Sequence, residues 1–255
     1  MPKYSQVFLA DRGICARIAG ALDGISFDRV VEIGPGGGAL TEFLYPRYGE
    51  RMRAVEIDAA LLPNLRSRFP GLAIVNADFL KADLDAVAGP GRAAFIGNLP
   101  YECSTAILER VLSFPGLSAA VFMFQKEVAR KILAAPNDHD YGYLSLLSAS
   151  RAEASLLTDV KAGSFRPVPA VDSSVVVFRP RRYFPDDAAE AAFRDLLKKA
   201  FMHRRKTLAN SLALCGADKA SVAAAMRACG LKAAARAQEL ALADFAALSA
   251  ALSGR

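Results

Sequence analysis

Histidine is scarce in this chain: His139 and His203 are the only two in 255 residues. That argues against a histidine-built metal centre and against histidine acid–base catalysis. Cysteine is scarce too. Cys15, Cys103, Cys215 and Cys229 form no C-x-x-C pair, so no metal site is expected and the thiols read as reduced and cytosolic. No run of about 18 uncharged apolar residues occurs, which excludes a membrane-spanning helix. Met1-Pro2-Lys3-Tyr4 lacks the apolar stretch of a secretory leader. Internal repeats and low-complexity tracts are missing, although the last helical stretch is rich in alanine. A cytoplasmic globular chain remains, and nothing in it argues against a monomer.

Net charge is +6, and its location says more than its size. Between Lys161 and Asn210 there are eleven Lys/Arg against five Asp/Glu, so this stretch carries the whole excess. A local basic surface suits a polyanion, most simply nucleic acid.

Hydrophobic periodicity predicts alternating strands and helices in the first two thirds. Strands are expected at Val30–Ile33, Arg53–Ile57, Leu72–Val75, Ala93–Gly97 and Ala119–Phe124. Helical spacing follows all of them but the third, for example Leu40, Phe43 and Leu44, or Thr105–Leu112. Such alternation indicates an α/β, doubly wound, mostly parallel sheet. Val175–Phe178 reads as a late antiparallel strand. From Asp186 onward only helical stripes recur, such as Phe193, Leu196, Leu197, Ala200 and Phe201. The sequence therefore predicts two domains, 1–181 and 182–255, the second small and all-helical.

Three expected strand ends carry ligand-type residues. Glu32-Ile33-Gly34-Pro35-Gly36-Gly37-Gly38 is a glycine-rich turn between strand and helix. Gly34 and Gly36 would let the backbone approach a ligand closely. The turn suits a nicotinamide dinucleotide as well as S-adenosylmethionine. Glu56 ends the second strand, where an acid can accept ribose hydroxyls. Asp78 ends the third, where a carboxylate can take the amino group of adenine. Read alone, Asp78 is a turn or cap residue.

Asn98-Leu99-Pro100-Tyr101 ends the fourth strand and separates the alternatives. An amine on an aromatic ring is a poor nucleophile because its lone pair is delocalised. Carbonyl oxygens that accept both N–H bonds free that lone pair. Asn98 can supply a side-chain oxygen. Leu99 is held extended by Pro100, so the Leu99 and Pro100 carbonyls have set directions. Tyr101 offers a stacking face, and Phe165, in a stiff proline-spaced loop, is expected opposite it. Arg181, Arg182, Arg204, Arg205 and Lys206 are the candidate phosphate contacts, the last three at the opening of a helix.

Taken together, these segments resemble the ribosomal RNA adenine N6,N6-dimethyltransferase family. The likeness runs from Ser5-Gln6-Val7-Phe8-Leu9 through the glycine turn, Glu56, Asp78 and Asn98–Tyr101. It continues through Gln125–Val128, Tyr141–Ser145, Phe165–Ser173, Arg204–Leu208 and Arg236–Leu240. The resemblance implies a Rossmann-like class I methyltransferase domain that uses S-adenosylmethionine, without a metal, to dimethylate adenines of 16S RNA in the small ribosomal subunit. It implies methyl-donor contacts from Leu9, Gly34, Gly36, Glu56, Asp78 and Asn98. The target amine would lie against Asn98, Leu99 and Pro100, with the base between Tyr101 and Phe165. The family usually reads Gly-Gln-Asn-Phe-Leu at residues 5–9, so with Val7 any contact at that position runs through the backbone. Only four residues precede Ser5, so little RNA contact is expected from that side.

Three other readings compete. One is the related antibiotic-resistance group that methylates large-subunit RNA, against which Leu99 and the Arg204–Leu208 segment weigh. A second is a ribosome-assembly factor with weak or lost catalysis. The third, a nicotinamide dehydrogenase, rests on the glycine turn alone.

Overall fold

The computed structural model describes residues 7–254, so Ser5 and Gln6 lie outside it. In chain order its elements are β1 (Phe8–Leu9), α1 (Arg12–Gly20), β2 (Arg29–Ile33), α2 (Thr41–Tyr48), β3 (Met52–Glu56), α3 (Leu62–Arg68), β4 (Ala73–Asn76), α4 (Leu84–Ala88), β5 (Ala93–Asn98), α5 (Ser104–Leu112), β6 (Leu117–Gln125), α6 (Lys126–Leu133), α7 (Tyr143–Arg151), β7 (Ala152–Val160), β8 (Phe165–Arg166), β9 (Ser173–Pro180), α8 (Asp187–Met202), α9 (Leu208–Leu214), α10 (Lys219–Ala228) and α11 (Leu242–Leu252). They form two compact units. The first runs through Ala129 and resumes over Glu153–Pro180; the second joins Arg130–Ala152 to Arg181–Arg255. A single boundary at residue 181 therefore does not describe the division. Segment 130–152 belongs with the helices, because tertiary contacts rather than sequence order set its membership. Among the described residues no helix is long and apolar enough to cross a membrane.

The first unit is a seven-stranded sheet in the order β4-β3-β2-β5-β6-β9-β7. Strands β4 to β6 pair in parallel, and β9 runs antiparallel to β6. The central strands are mostly apolar, Glu32 of β2 excepted, because both sheet faces are covered. Ala93, Ala94, Phe95 and Ile96 are all buried, with Phe79 and Phe114 packed edge-on against Phe95. Strand β7 was not foreseen. It is an edge strand whose side chains are mostly half-exposed or exposed, and Ala-Glu-Ala-Ser-Leu-Leu lacks a clean period of two.

From β2 the chain builds outward on one side through β3 to β4, then crosses back to place β5 against the other side of β2, so the order of strands reverses between β2 and β5. Ligands bind outside the carboxyl ends of strands at such a reversal. Gly97 shows how tightly the two strands meet there. A Cβ on Gly97 would lie 2.5 Å from the Ile33 carbonyl oxygen, a backbone atom that cannot swing aside. Gly97→Ala is expected to destabilise the protein by about 1–3 kcal/mol. The check is the urea midpoint, and an unchanged midpoint would mean that the strands are not so closely apposed.

The second unit packs α8, α9, α10 and α11 around Phe193, Leu197, Leu212, Met226 and Phe245. Segment 130–152 is tied into it by specific bonds. The Tyr141 hydroxyl donates to the Leu240 carbonyl at 2.8 Å, and Arg151 pairs with the buried Glu190.

Candidate active site

Four strand ends converge along one edge of the first unit's sheet. Register places Glu32 beside Ile96 and Ile33 beside Val55. The turn after β2 therefore abuts the ends of both β3 and β5. Gly34 and Gly36 have φ of +65° and +57°, a left-handed conformation that glycine adopts without strain. At Gly34 the space that a Cβ would fill is open, as a cradle for a ligand requires. At Gly36 the same space is filled by the ring of Phe8.

Glu56 braces this turn. It is buried, and its two carboxylate oxygens accept the backbone N–H groups of Gly36 at 3.0 Å and Asp58 at 2.9 Å. Each oxygen keeps further acceptor capacity for a ribose hydroxyl. Ile57, the next residue, is 40% exposed, an unusual position for a large apolar side chain. Its signal in the sequence was an isoleucine directly after the ribose-type acid. Asp78 behaves as a cap: its Oδ1 accepts the Leu80 N–H at 2.9 Å, and Lys81 lies 3.8 Å from its Oδ2.

Glu32 was missed as a site residue, although an acid inside Val30-Val31-Glu32-Ile33 was a visible signal. It is fully buried on β2 and accepts the Thr41 hydroxyl at 2.6 Å. Burial pushes its carboxyl up from 4.5 to about 8; the Thr41 bond opposes this and the charge of Glu56 adds to it. Between these two values unfolding releases a proton, so rising pH favours the unfolded chain. Glu32→Gln removes that linkage. Its stability relative to the parent is expected to rise from about pH 4.5 to 8 and then level off. Denaturant titrations across that range provide the check, and a pH-independent difference would contradict it.

The corner after β5 holds the reactive-type groups. Asn98 is half-buried, and its side-chain nitrogen donates to the Val7 carbonyl at 3.0 Å. Its Oδ1 therefore points the other way. The Leu99 side chain is buried, so only its backbone can meet a ligand. The Pro100 carbonyl accepts the Cys103 N–H at 3.3 Å at the start of α5 and keeps a second lone pair. Tyr101 is half-buried, with its hydroxyl 3.3 Å from the Ser173 hydroxyl. That bond restrains the phenol while the ring keeps accessible surface.

Phe165 does not take the place expected of it. It lies on β8, paired with Leu9 of β1, and both side chains are buried in an apolar cluster with Cys15, Ile18, Val160 and Val175. Phe165 has no exposed surface and cannot stack on a base from that position. The apolar cluster outcompetes exposure of a large ring. Leu9 likewise faces the core, and Phe8 is the residue of this strand that touches the glycine turn.

The basic residues lie in the second unit. Arg204, Arg205 and Lys206 sit in the turn between α8 and α9, and the helix opens only after Thr207, whose hydroxyl caps it. Arg204 donates to the carbonyls of His139 and Tyr141 at 3.3 and 3.0 Å, so it ties this unit together. Arg182 pairs with Asp187 at 2.6 Å. Arg181, Arg205 and Lys206 are exposed. Among the described residues no group of three or more His, Cys, Asp or Glu is placed to hold a metal ion.

Known proteins match this arrangement over nearly its whole length. Ribosomal RNA small subunit methyltransferase A of Geobacter metallireducens is 42% identical, covering 97% of this chain and 93% of that protein. Its counterpart in Acidobacterium capsulatum is 37% identical over 97% and 89%. Among solved structures, a dimethyladenosine transferase from Plasmodium falciparum superposes with a TM-score of 0.80 at 25% identity, covering 94% and 95% of the two chains. The 23S rRNA methyltransferase ErmE gives 0.71 at 30%, covering 96% and 99%. The family described as ribosomal RNA adenine dimethylase matches residues 1–253. The family match over residues 1–253 and relatives at 37–42% identity over nearly full length show that the chain belongs to the ribosomal RNA adenine dimethylase family.

Proposed function

We infer that this chain dimethylates N6 of adenines in small-subunit ribosomal RNA, with S-adenosylmethionine as methyl donor. One observation carries the mechanism. The strand that ends in Asn98 lies beside the strand that ends in the glycine turn, so an amine acceptor and a nucleoside cradle share one sheet edge. The left-handed glycines, the open space at Gly34 and the buried Glu56 carboxylate fit the donor's nucleoside part. When bound, S-adenosylmethionine supplies an electrophilic methyl group. Glu56 would orient the ribose, Ile57 would cover a face of the adenine, and Asp78 would reach its amino group with the oxygen not used as a cap.

Asn98 Oδ1 and the Leu99 carbonyl would accept the two N–H bonds of the target amine. That withdraws the nitrogen lone pair from the ring and aims it at the methyl group. Tyr101 would support the base from one face. The alkylated nitrogen is acidic enough to lose its proton to water, so no side-chain base is needed. Positioning is then the main catalytic contribution.

The small-subunit reading is supported by relatives carrying that name at 37–42% identity over nearly full length. Labelled methyl transfer into unmethylated small and large subunits tests it. Label in small-subunit adenines is the expected outcome. Label in large-subunit RNA alone would favour the resistance-type activity, and no label with intact RNA binding would favour an assembly factor.

Arg181, Arg205 and Lys206 are the cations proposed to meet phosphate. Replacing all three with alanine is expected to weaken RNA binding and to flatten its log–log salt dependence, by roughly 0.7–0.9 for each phosphate no longer neutralised. An unchanged slope would place the RNA surface elsewhere. Arg204 is left intact in this variant because its removal would disturb the fold.

A further inference from the structure

We propose that the backbone carbonyl of Val7 is a positioning group for Asn98, selecting which end of its amide faces the target amine. The inference rests on the reading of Asn98 as the acceptor and adds a requirement to it. An asparagine amide has two ends of nearly equal size and opposite hydrogen-bonding character. With Oδ1 toward the amine it accepts an N–H and frees the lone pair. Turned by 180° it presents N–H groups and cannot do so. Sterics alone do not distinguish these states. A carbonyl oxygen 3.0 Å from one end does, because only the nitrogen end can face it.

That carbonyl is held from several sides. The next two residues, Phe8 and Leu9, form β1 and pair with Arg166 and Phe165 of β8. The Ala10 N–H then donates to the Ser164 carbonyl at 2.8 Å. Leu9 is buried in the core, and the ring of Phe8 rests where a Cβ on Gly36 would be. Adjacent residues thus touch the two halves of the site, Phe8 at the glycine turn and Val7 at the amide. The Val7 side chain takes no part in this. It is half-buried against the core cluster and brings only apolar surface. The hydrogen bond therefore survives with valine at a position where the family usually has asparagine.

Cys15 lets residues 1–14 be made synthetically and ligated to the remainder at a native cysteine. An ester in place of the Val7–Phe8 peptide bond weakens the Val7 carbonyl as an acceptor and leaves every side chain in place. It also removes the Phe8 N–H of the strand paired with β8, and a loss due to the missing N–H is the same whatever residue stands at 98. With small-subunit RNA as substrate, the ester is expected to lower kcat about five- to tenfold and to leave the RNA KM unchanged. In an Asn98→Ala background it should cause a much smaller loss than in the parent, because the carbonyl then has no amide to orient. An equal loss from the ester in both backgrounds, or no loss from it in the parent, would overturn the proposal. Near-parental turnover in Asn98→Ala would instead sink the assignment of Asn98 on which it rests.

Discussion

Replacing Asn98 with alanine is expected to reduce methyl transfer by about two to three orders of magnitude, the cost of removing one preorganised polar group from a transition state. The substitution deletes the side-chain carbonyl oxygen at the corner after β5. The Leu99 carbonyl remains, but a single acceptor withdraws one N–H and leaves the lone pair largely in the ring. The fold should tolerate the change. Asn98 is the last residue of β5, is half-buried, and among the described residues makes one side-chain bond, to Val7. Single-turnover transfer of a labelled methyl group, with a thermal melt beside it, separates chemistry from folding. A large loss at an unchanged midpoint is the expected pair of results. Turnover near that of the parent would remove Asn98 from the chemistry.

Glu56→Ala should act on binding. Its carboxylate accepts the N–H groups of Gly36 and Asp58, and each bond to a charged group contributes about 1.5–3 kcal/mol. Losing it frees the glycine turn from β3 and removes the acid proposed to receive the ribose. Affinity for S-adenosylmethionine is expected to fall about 100-fold or more, with kcat at saturating donor falling much less. Equilibrium titration with S-adenosylhomocysteine reads this directly. An unchanged dissociation constant would mean that Glu56 only braces the loop. Asn98→Ala should show the opposite pattern, with donor affinity falling far less than the rate of the chemical step. The two variants therefore separate the cradle from the reactive corner.

Much of this architecture was legible in the residues because local pattern and burial agree. Val30–Ile33 and Ala93–Ile96 read as buried strands and are buried on both sheet faces. The glycine turn, Glu56 and Asn98 ended strands in the sequence, and strand ends are where the structure places them. The failures share a cause: each was decided by tertiary packing. Strand β7 is a sheet edge whose pattern resembles a loop. Residues 130–152 lie between elements of the first unit in sequence yet fold with the second, through Tyr141 on Leu240 and Arg151 on Glu190. Phe165 sits in a proline-spaced loop that reads as exposed, but its pairing with Leu9 carries the ring into the core. Arg204 looked like one more cation in a basic run, whereas its guanidinium holds the carbonyls of His139 and Tyr141. Charge counting finds a basic segment and cannot assign its members between scaffold and surface.

The central claim is that one sheet edge brings a nucleoside cradle and an oriented amide to the same methyl group. A crystal structure of the protein with S-adenosylhomocysteine tests it most directly. The account predicts the ribose hydroxyls on Glu56, the sulfur facing Asn98 Oδ1, and the Asn98 nitrogen still on the Val7 carbonyl. A ligand seated away from the glycine turn, or an Asn98 amide turned so that its nitrogen faces the sulfur, would contradict it.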